Sequence, residues 1–295
     1  MSLDRQGGGS SAVAVASLLA GAMVWGLIWY PYRSLQDAGL SGALASVFTY
    51  GIALACGVPI LGRRLRGARF SWWLPAIAVA AGACNLGYVL AVLPGEVMRV
   101  LLLFYLSPLW TVLLARLLLD ERLNAAGAAV VGCSLAGATI MLWHPTLGLP
   151  WPRNAAEWLG LGAGFGFALN NVLIRRAAHL RIEQKTLAVF AGVVLLGLVA
   201  LPFEPTGDVT GLAAVDWLVL AMTGLLLLVV NLVVQVGLTG LTANRAIVIM
   251  LSELVFAAVS SWLLAGERMG SLEWAGGSLI VVASLFSGKL EAESA

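Results

Sequence analysis

Five stretches of more than twenty residues contain no Asp, Glu, Lys or Arg: Gln6 to Tyr32, Ala38 to Gly62, Phe70 to Gly95, Leu123 to Pro152 and Trp217 to Asn244. Shorter charge-free runs cover Val100 to Ala115, Trp158 to Ile174, Thr186 to Phe203, Leu254 to Gly266 and Trp274 to Gly288. An α-helix needs roughly 20 apolar residues to cross a bilayer, so runs of this kind read as membrane spans. The chain has too little charge for the other option: 11% of its 295 residues are charged, against about 25% in a soluble domain. Spanning β-strands alternate apolar and polar residues over about ten positions, and no run here alternates. The expected fold class is an all-α polytopic membrane protein.

The runs predict ten helices, at 12–31, 41–62, 71–93, 95–117, 123–143, 156–177, 185–203, 214–238, 242–265 and 270–288. Ten spans consume most of the chain and leave no room for an appended soluble domain. Asp4 cancels Arg5, and the apolar run after Gly7 to Ser11 is too long for a signal-peptide core, so it reads as the first span.

Basic residues set the orientation. With the N-terminus cytoplasmic, Arg5, Arg63, Arg64, Arg66, Arg69, Arg116, Arg122, Arg175, Arg176, Arg181, Lys185, Arg245 and Lys289 fall inside. Only Arg33, Arg99, Arg153 and Arg268 fall outside, and the acidic loop around Glu204 and Asp208 joins them. Both termini are therefore expected in the cytoplasm.

An internal repeat divides the chain. Leu106 to Arg122 reads LSPLWTVLLARLLLDER, and Leu251 to Arg268 reads LSELVFAAVSSWLLAGER. Each begins Leu-Ser inside a helix, ends Glu-Arg at its exit, and precedes a Gly-rich helix. Arg99 stands eight residues before Ser107, and Arg245 seven before Ser252. Five helices per half invert the second copy relative to the first, the plan of many secondary transporters, which hold substrate near the midplane. The expected divisions are an N-terminal segment 1–11, repeats at 12–143 and 156–288, an external linker 144–155 and a tail 289–295.

Trp25-Gly26 in the first helix, Arg33 after it, and Glu-Arg after the fourth and ninth helices carry a resemblance to a known family. They look like the drug/metabolite transporter superfamily, EamA-like type, and the length and aromatic pattern resemble its aromatic amino acid exporter branch. The resemblance implies a secondary transporter of the bacterial inner membrane. It would export amino acids, aromatic ones among them, or similar small metabolites by alternating access. It implies no cofactor and a monomer in lipid, with the proton as candidate coupling ion. A multidrug or other metabolite carrier of the same superfamily is the alternative. Nucleotide sugars fit less well, because a cavity for large anions needs several cations. One departure stands out: the family often carries a proline mid-helix in both halves. Pro108 fits the first, but Glu253 takes the matching place in the second.

Glu253 is the outstanding candidate, since a carboxylate at a helix centre costs about 2.5–3.5 kcal/mol and needs a partner or water. It holds a substrate's ammonium group or carries a proton, or else it is structural, as an ion pair with a basic residue such as Arg99, Arg116 or Arg245 or as a protonated carboxyl bonded to a backbone carbonyl. Pro108 is the candidate hinge, because it lacks a backbone donor and clashes with the Phe104 carbonyl. Asn85 and Tyr88 share one face of the third helix, and Asn231 and Gln235 share one of the eighth. Tyr105, Ser107 and Ser252 add hydroxyls, and only one of Asn170 and Asn171 can face a central cavity. Interhelical hydrogen bonds account for such residues equally well. Trp25 and Trp29 offer rings to an aromatic or cationic ligand, whereas Trp72, Trp73, Trp143, Trp151, Trp158 and Trp217 lie at helix ends as interfacial anchors.

Other functions lack their residues. A net charge of +2 argues against nucleic acid. Cys56, Cys84 and Cys133 sit in apolar runs and read as small hydrophobes. With His144 and His179 the only histidines, no metal site is expected. An intramembrane enzyme needs a nucleophile with its base, and neither a Gly-x-Ser-x-Gly nor a phosphate-binding Gly-Lys-Ser/Thr loop occurs.

Overall fold

The computed structural model describes residues 4–65, 67–92, 97–143, 151–203, 209–266 and 270–287. All regular structure among them is helical. The α-helices are α1 (Asp4–Leu27), α2 (Trp29–Asp37), α3 (Gly42–Gly62), α4 (Trp73–Val92), α5 (Val97–Phe104), α6 (Ser107–Leu119) and α7 (Ala125–Leu142). After them come α8 (Ala155–Arg176), α9 (Ile182–Ala200), α10 (Ala214–Gly240), α11 (Ala243–Met250), α12 (Ser252–Ala265) and α13 (Ser271–Leu285). Taking broken helices together, eight spans among the described residues are long and apolar enough to cross a membrane, and α8 and α13 stand outside that set. Leu195, Val199, Met222 and Val229 stay about 60% exposed on outer faces. In water such a surface drives aggregation; against acyl chains it costs nothing.

Three helices expected to be continuous are interrupted. The first breaks at Ile28, just before Trp29-Tyr30-Pro31. Pro31 lacks an N–H and crowds the carbonyl four residues earlier. The fourth breaks between Phe104 and Ser107, and the ninth at Leu251. Pro108 thus sits at the start of α6, where its missing donor was free of helical duty anyway. Both broken helices also end alike, with Asp120 (φ 57°) and Gly266 (φ 68°) in the left-handed conformation.

Packing follows a pattern that survives exchanging one half for the other. Helix α1 packs on α10 and α12, and α8 packs correspondingly on α4 and α6. Helix α3 packs on α10 as α4 does on α9, while α3–α9 and α7–α13 pair across the halves. Small residues make these seams possible. A Cβ on Gly192 would strike the Ala78 carbonyl, one on Gly224 would lie 2.7 Å from the Thr49 carbonyl, and Gly137 and Gly276 abut each other's backbone. Gly160 and Gly164 let α8 lie against Val100 and Phe104, whereas a Cβ on Gly162 meets nothing.

Polar side chains gather at the two ends of the bundle. At one end, Arg181 donates to the Arg64 carbonyl, and Arg245 Nη1 donates to Ser11 Oγ at 3.1 Å. The fully buried Lys185 there donates to Thr239 Oγ1 at 2.6 Å. Glu121 accepts from the backbone N–H groups of Ala243 (3.0 Å) and Asn244 (3.4 Å), so a carboxylate from the first half caps α11 of the second. At the opposite end, Arg99 and Glu157 form an ion pair at 2.8 Å with both side chains under 5% exposed. Arg99 Nη2 also donates to the Trp151 carbonyl at 2.7 Å. Glu267-Arg268, His144, Arg66, Lys289 and the loop with Glu204 and Asp208 lie outside the described residues.

Candidate functional site

The broken pairs α5–α6 and α11–α12 meet. Tyr105 sits in the break before α6 and donates its hydroxyl to Glu253 Oε1 at 3.1 Å. Glu253 occupies the first turn of α12 rather than the middle of a continuous helix. That placement explains how the fold tolerates it, because the positive end of a helix dipole favours a carboxylate in its first turn. None of the cations considered from sequence takes the role of partner. Arg99 pairs with Glu157, Arg245 reaches Ser11, and Arg116 lies in the last turn of α6.

Tyr105 also belongs to a cluster of aromatic rings. The Phe104 ring lies 5.3 Å from Tyr88, 5.2 Å from Tyr105 and 5.5 Å from Phe167, each measured between centroids. Tyr88 and Cys84 of α4 are within electrostatic range of Glu253. Glu253, Tyr88 and Cys84 are only half-buried, whereas Tyr105 is buried.

Close backbone approach builds the walls. A Cβ at Gly26 would lie 2.8 Å from the Glu253 carbonyl, so Gly26 seats α1 directly on the first turn of α12. On the other side, the Phe104 carbonyl, at the break, turns toward Gly164 of α8, and Gly166 lies against Cys84.

The remaining candidates divide. Ser107 is fully buried and its Oγ has no hydrogen-bond partner, while Ser252 Oγ donates to the Ile249 carbonyl of its own turn at 2.7 Å. Asn231 Nδ2 donates to Leu227 one turn back at 3.0 Å, and Gln235, on the same face, keeps an unpartnered buried Oε1. Asn170 keeps an unpartnered Oδ1, and its neighbour Asn171 turns to the Met250 sulfur at 3.9 Å. Asn85 is half-buried on α4, three residues from Tyr88. Trp25 packs against the core cluster of α1, α3, α4, α8, α9, α10 and α11. Trp29, beyond the break at Ile28, donates to Ser260 at 2.9 Å instead of joining the site.

Phe104 and Phe167 complete this ring cluster and were not among the candidates read from sequence. Their signals were adjacency to Tyr105 and a place among the glycines of α8. Among the described residues, no group of three or more His, Cys, Asp or Glu is placed to hold a metal ion.

Residues 154–288 match the model of the EamA-like transporter family. No curated protein matches the chain. A solved structure described as "Crystal structure of protein" superposes with a TM-score of 0.76 at 20% identity, covering 95% of this chain and 97% of that one. The likeness shows a common fold.

Proposed function

We propose that this protein is a secondary transporter of the drug/metabolite type that exports small amine-bearing metabolites, amino acids among the candidates, across the bacterial inner membrane. The observation that carries the reading is the Tyr105–Glu253 hydrogen bond. It joins residues 148 apart at the point where two interrupted helices from opposite halves cross. The EamA-like match over the second half supports a transport role.

In this reading the chain makes ten spans as two inverted repeats, 12–143 and 156–288. Support comes from the exchangeable packing pattern, from the paired breaks at Ser107 and Ser252, and from the paired left-handed exits at Asp120 and Gly266. The basic bias puts the end with Ser11, Lys185 and Arg245 in the cytoplasm, both termini with it. Alternating access then exposes Glu253 to each side by rocking one half on the other. The resemblance to amino acid exporters points to a substrate ammonium against Glu253, with the proton as the group that replaces it.

The test uses purified protein in liposomes loaded with a panel of amino acids and amines, with and without a pH gradient. Saturable, protein-dependent efflux of at least one member, driven by the gradient, is the expected result. Efflux no faster than from protein-free liposomes across the panel contradicts the proposal.

A further inference from the structure

We infer that the α3–α4 and α8–α9 connectors together form a docking surface for the phosphate headgroup of an anionic phospholipid. The inference concerns elements other than the broken helices and does not depend on the transport reading.

Basic residues are concentrated in these two connectors. Arg63, Arg64 and Arg69 stand between the bodies of α3 and α4, while Arg176 ends α8 and Arg181 precedes α9. The fold lays one connector against the other. Arg181 donates to the Arg64 carbonyl, and Gln184 Nε2 donates to the Arg69 carbonyl at 3.1 Å, links between residues 117 and 115 apart. The Arg176 guanidinium sits 6.0 Å from the centroid of the Trp73 ring. These contacts use carbonyls and a ring face, so they hold the arginines without neutralising them. Glu183 pairs with Arg64 at 3.4 Å. Among the described residues, no acidic side chain pairs with Arg63, Arg69, Arg176 or Arg181, and all four are exposed. Like charges gathered on one surface repel one another, and an anion from outside the chain relieves that repulsion. A phosphodiester suits guanidinium groups, which bind phosphate through paired N–H donors.

Position within the fold identifies the source of the phosphate. The apolar spans Gly42–Leu65, Trp73–Ala91 and Ile182–Phe203 end or begin at these connectors, which puts the arginines at headgroup depth. Phe70 and Trp72, 68% and 82% exposed, meet edge to face at 5.4 Å directly after Arg69. Exposed aromatic rings of this kind gather where lipid meets water. Val58 and Ile60, in the last turn of α3 before Arg63, are exposed as well. A lipid therefore finds arginines for its phosphate, rings beside them, and apolar surface for its acyl chains. Free inorganic phosphate uses only the first of these.

Native mass spectrometry of the purified full chain tests the surface, with dioleoyl phosphatidylglycerol and dioleoyl phosphatidylcholine as probes. The two lipids share acyl chains and differ in headgroup charge. Each arginine near such a surface strengthens anionic lipid binding about fivefold, so phosphatidylglycerol should bind at least about tenfold tighter. The double variant Arg63→Gln, Arg69→Gln should weaken phosphatidylglycerol by more than about tenfold and leave phosphatidylcholine unchanged. Its thermal transition without lipid should match the parent's, since both side chains are exposed. The double variant Arg116→Gln, Arg122→Gln removes the same charge from the exit of α6 and should stay within about twofold of the parent. Equal affinity for the two lipids overturns the inference. An equal loss in both double variants overturns it as well, because net charge alone would then explain the binding. Displacement of phosphatidylglycerol by equimolar inorganic phosphate also overturns it, since the surface would then take phosphate and not lipid. The assay involves no transport, so lipid binding and liposome efflux succeed or fail separately.

Discussion

The helix pair α5–α6 and its counterpart α11–α12 share a backbone and differ in chemistry. Each breaks just before a serine, Ser107 or Ser252, and each leaves the bundle through a left-handed residue, Asp120 or Gly266. After the serine, the first carries Pro108 and the second Glu253. Pro108 suits a helix start by lacking a donor. Glu253 suits one by carrying negative charge at the positive end of the dipole. The same local geometry thus accommodates either residue, and only one of them can bind anything. The ends of the bundle repeat the lesson. Arg99 and Arg245 both stand in the first turn of the shorter segment. One meets Glu157 in a buried ion pair and the other meets the hydroxyl of Ser11. The two helix pairs place these contacts alike, and single residues decide their strength.

The largest effect should come from breaking the charged end. Glu157→Ala leaves the Arg99 guanidinium buried against an apolar gap, a loss of about 3–5 kcal/mol, read as a clear fall in the thermal transition of the detergent-solubilised protein. A transition unchanged within error would mean that water or another group takes over the pair. Next comes a pair of glycines that tests whether close backbone contact holds the halves together. Gly192→Ala drives a methyl into the Ala78 carbonyl and should destabilise by about 1–3 kcal/mol. Gly162→Ala meets nothing and should leave the transition within ~1 kcal/mol of the parent or raise it. Equal behaviour of the two would break the assignment of the α4–α9 seam. At the crossing, Tyr105→Phe removes one hydrogen bond to a charged group and should weaken amine affinity by roughly tenfold, measured by calorimetry; no change would detach Tyr105 from the site. The smallest effect belongs to the opposite end, where Arg245 meets a neutral hydroxyl and Ser11→Ala should cost about 1 kcal/mol or less. A loss equal to that of Glu157→Ala would erase the contrast between the ends.

The charge-free runs located the helices because lipid excludes charge everywhere along a span, so the signal is local and repeated. The run from Trp217 predicted a helix over 214–238 and the structure has Ala214–Gly240. Breaks are harder, since a chain can stay apolar through them. Pro31 was a visible signal for the break at Ile28 and went unread. Pro108 was read as a kink inside a helix when it begins one. The partners of buried charge were the least legible. Glu157 with Arg99, Glu121 on the start of α11, and Lys185 with Thr239 join residues 54 to 122 apart, and no spacing rule in one sequence connects them. Glu253 itself was conspicuous because a carboxylate in an apolar run has few explanations. Its partner Tyr105 was recognised only as a nearby hydroxyl.

The central claim is that the half with Glu253 does the chemistry that its Pro108 counterpart cannot. Glu253→Gln tests it most directly, because it keeps the volume and a hydrogen-bond acceptor for Tyr105 while removing charge and titration. The measurement is efflux from liposomes of the best panel substrate, across a pH series, at matched protein density and with an unchanged thermal transition. The expected result is efflux reduced to the protein-free background and a flat pH profile. Efflux at the parent rate, with the parent's affinity and pH dependence, would contradict it and make Glu253 a structural cap on α12.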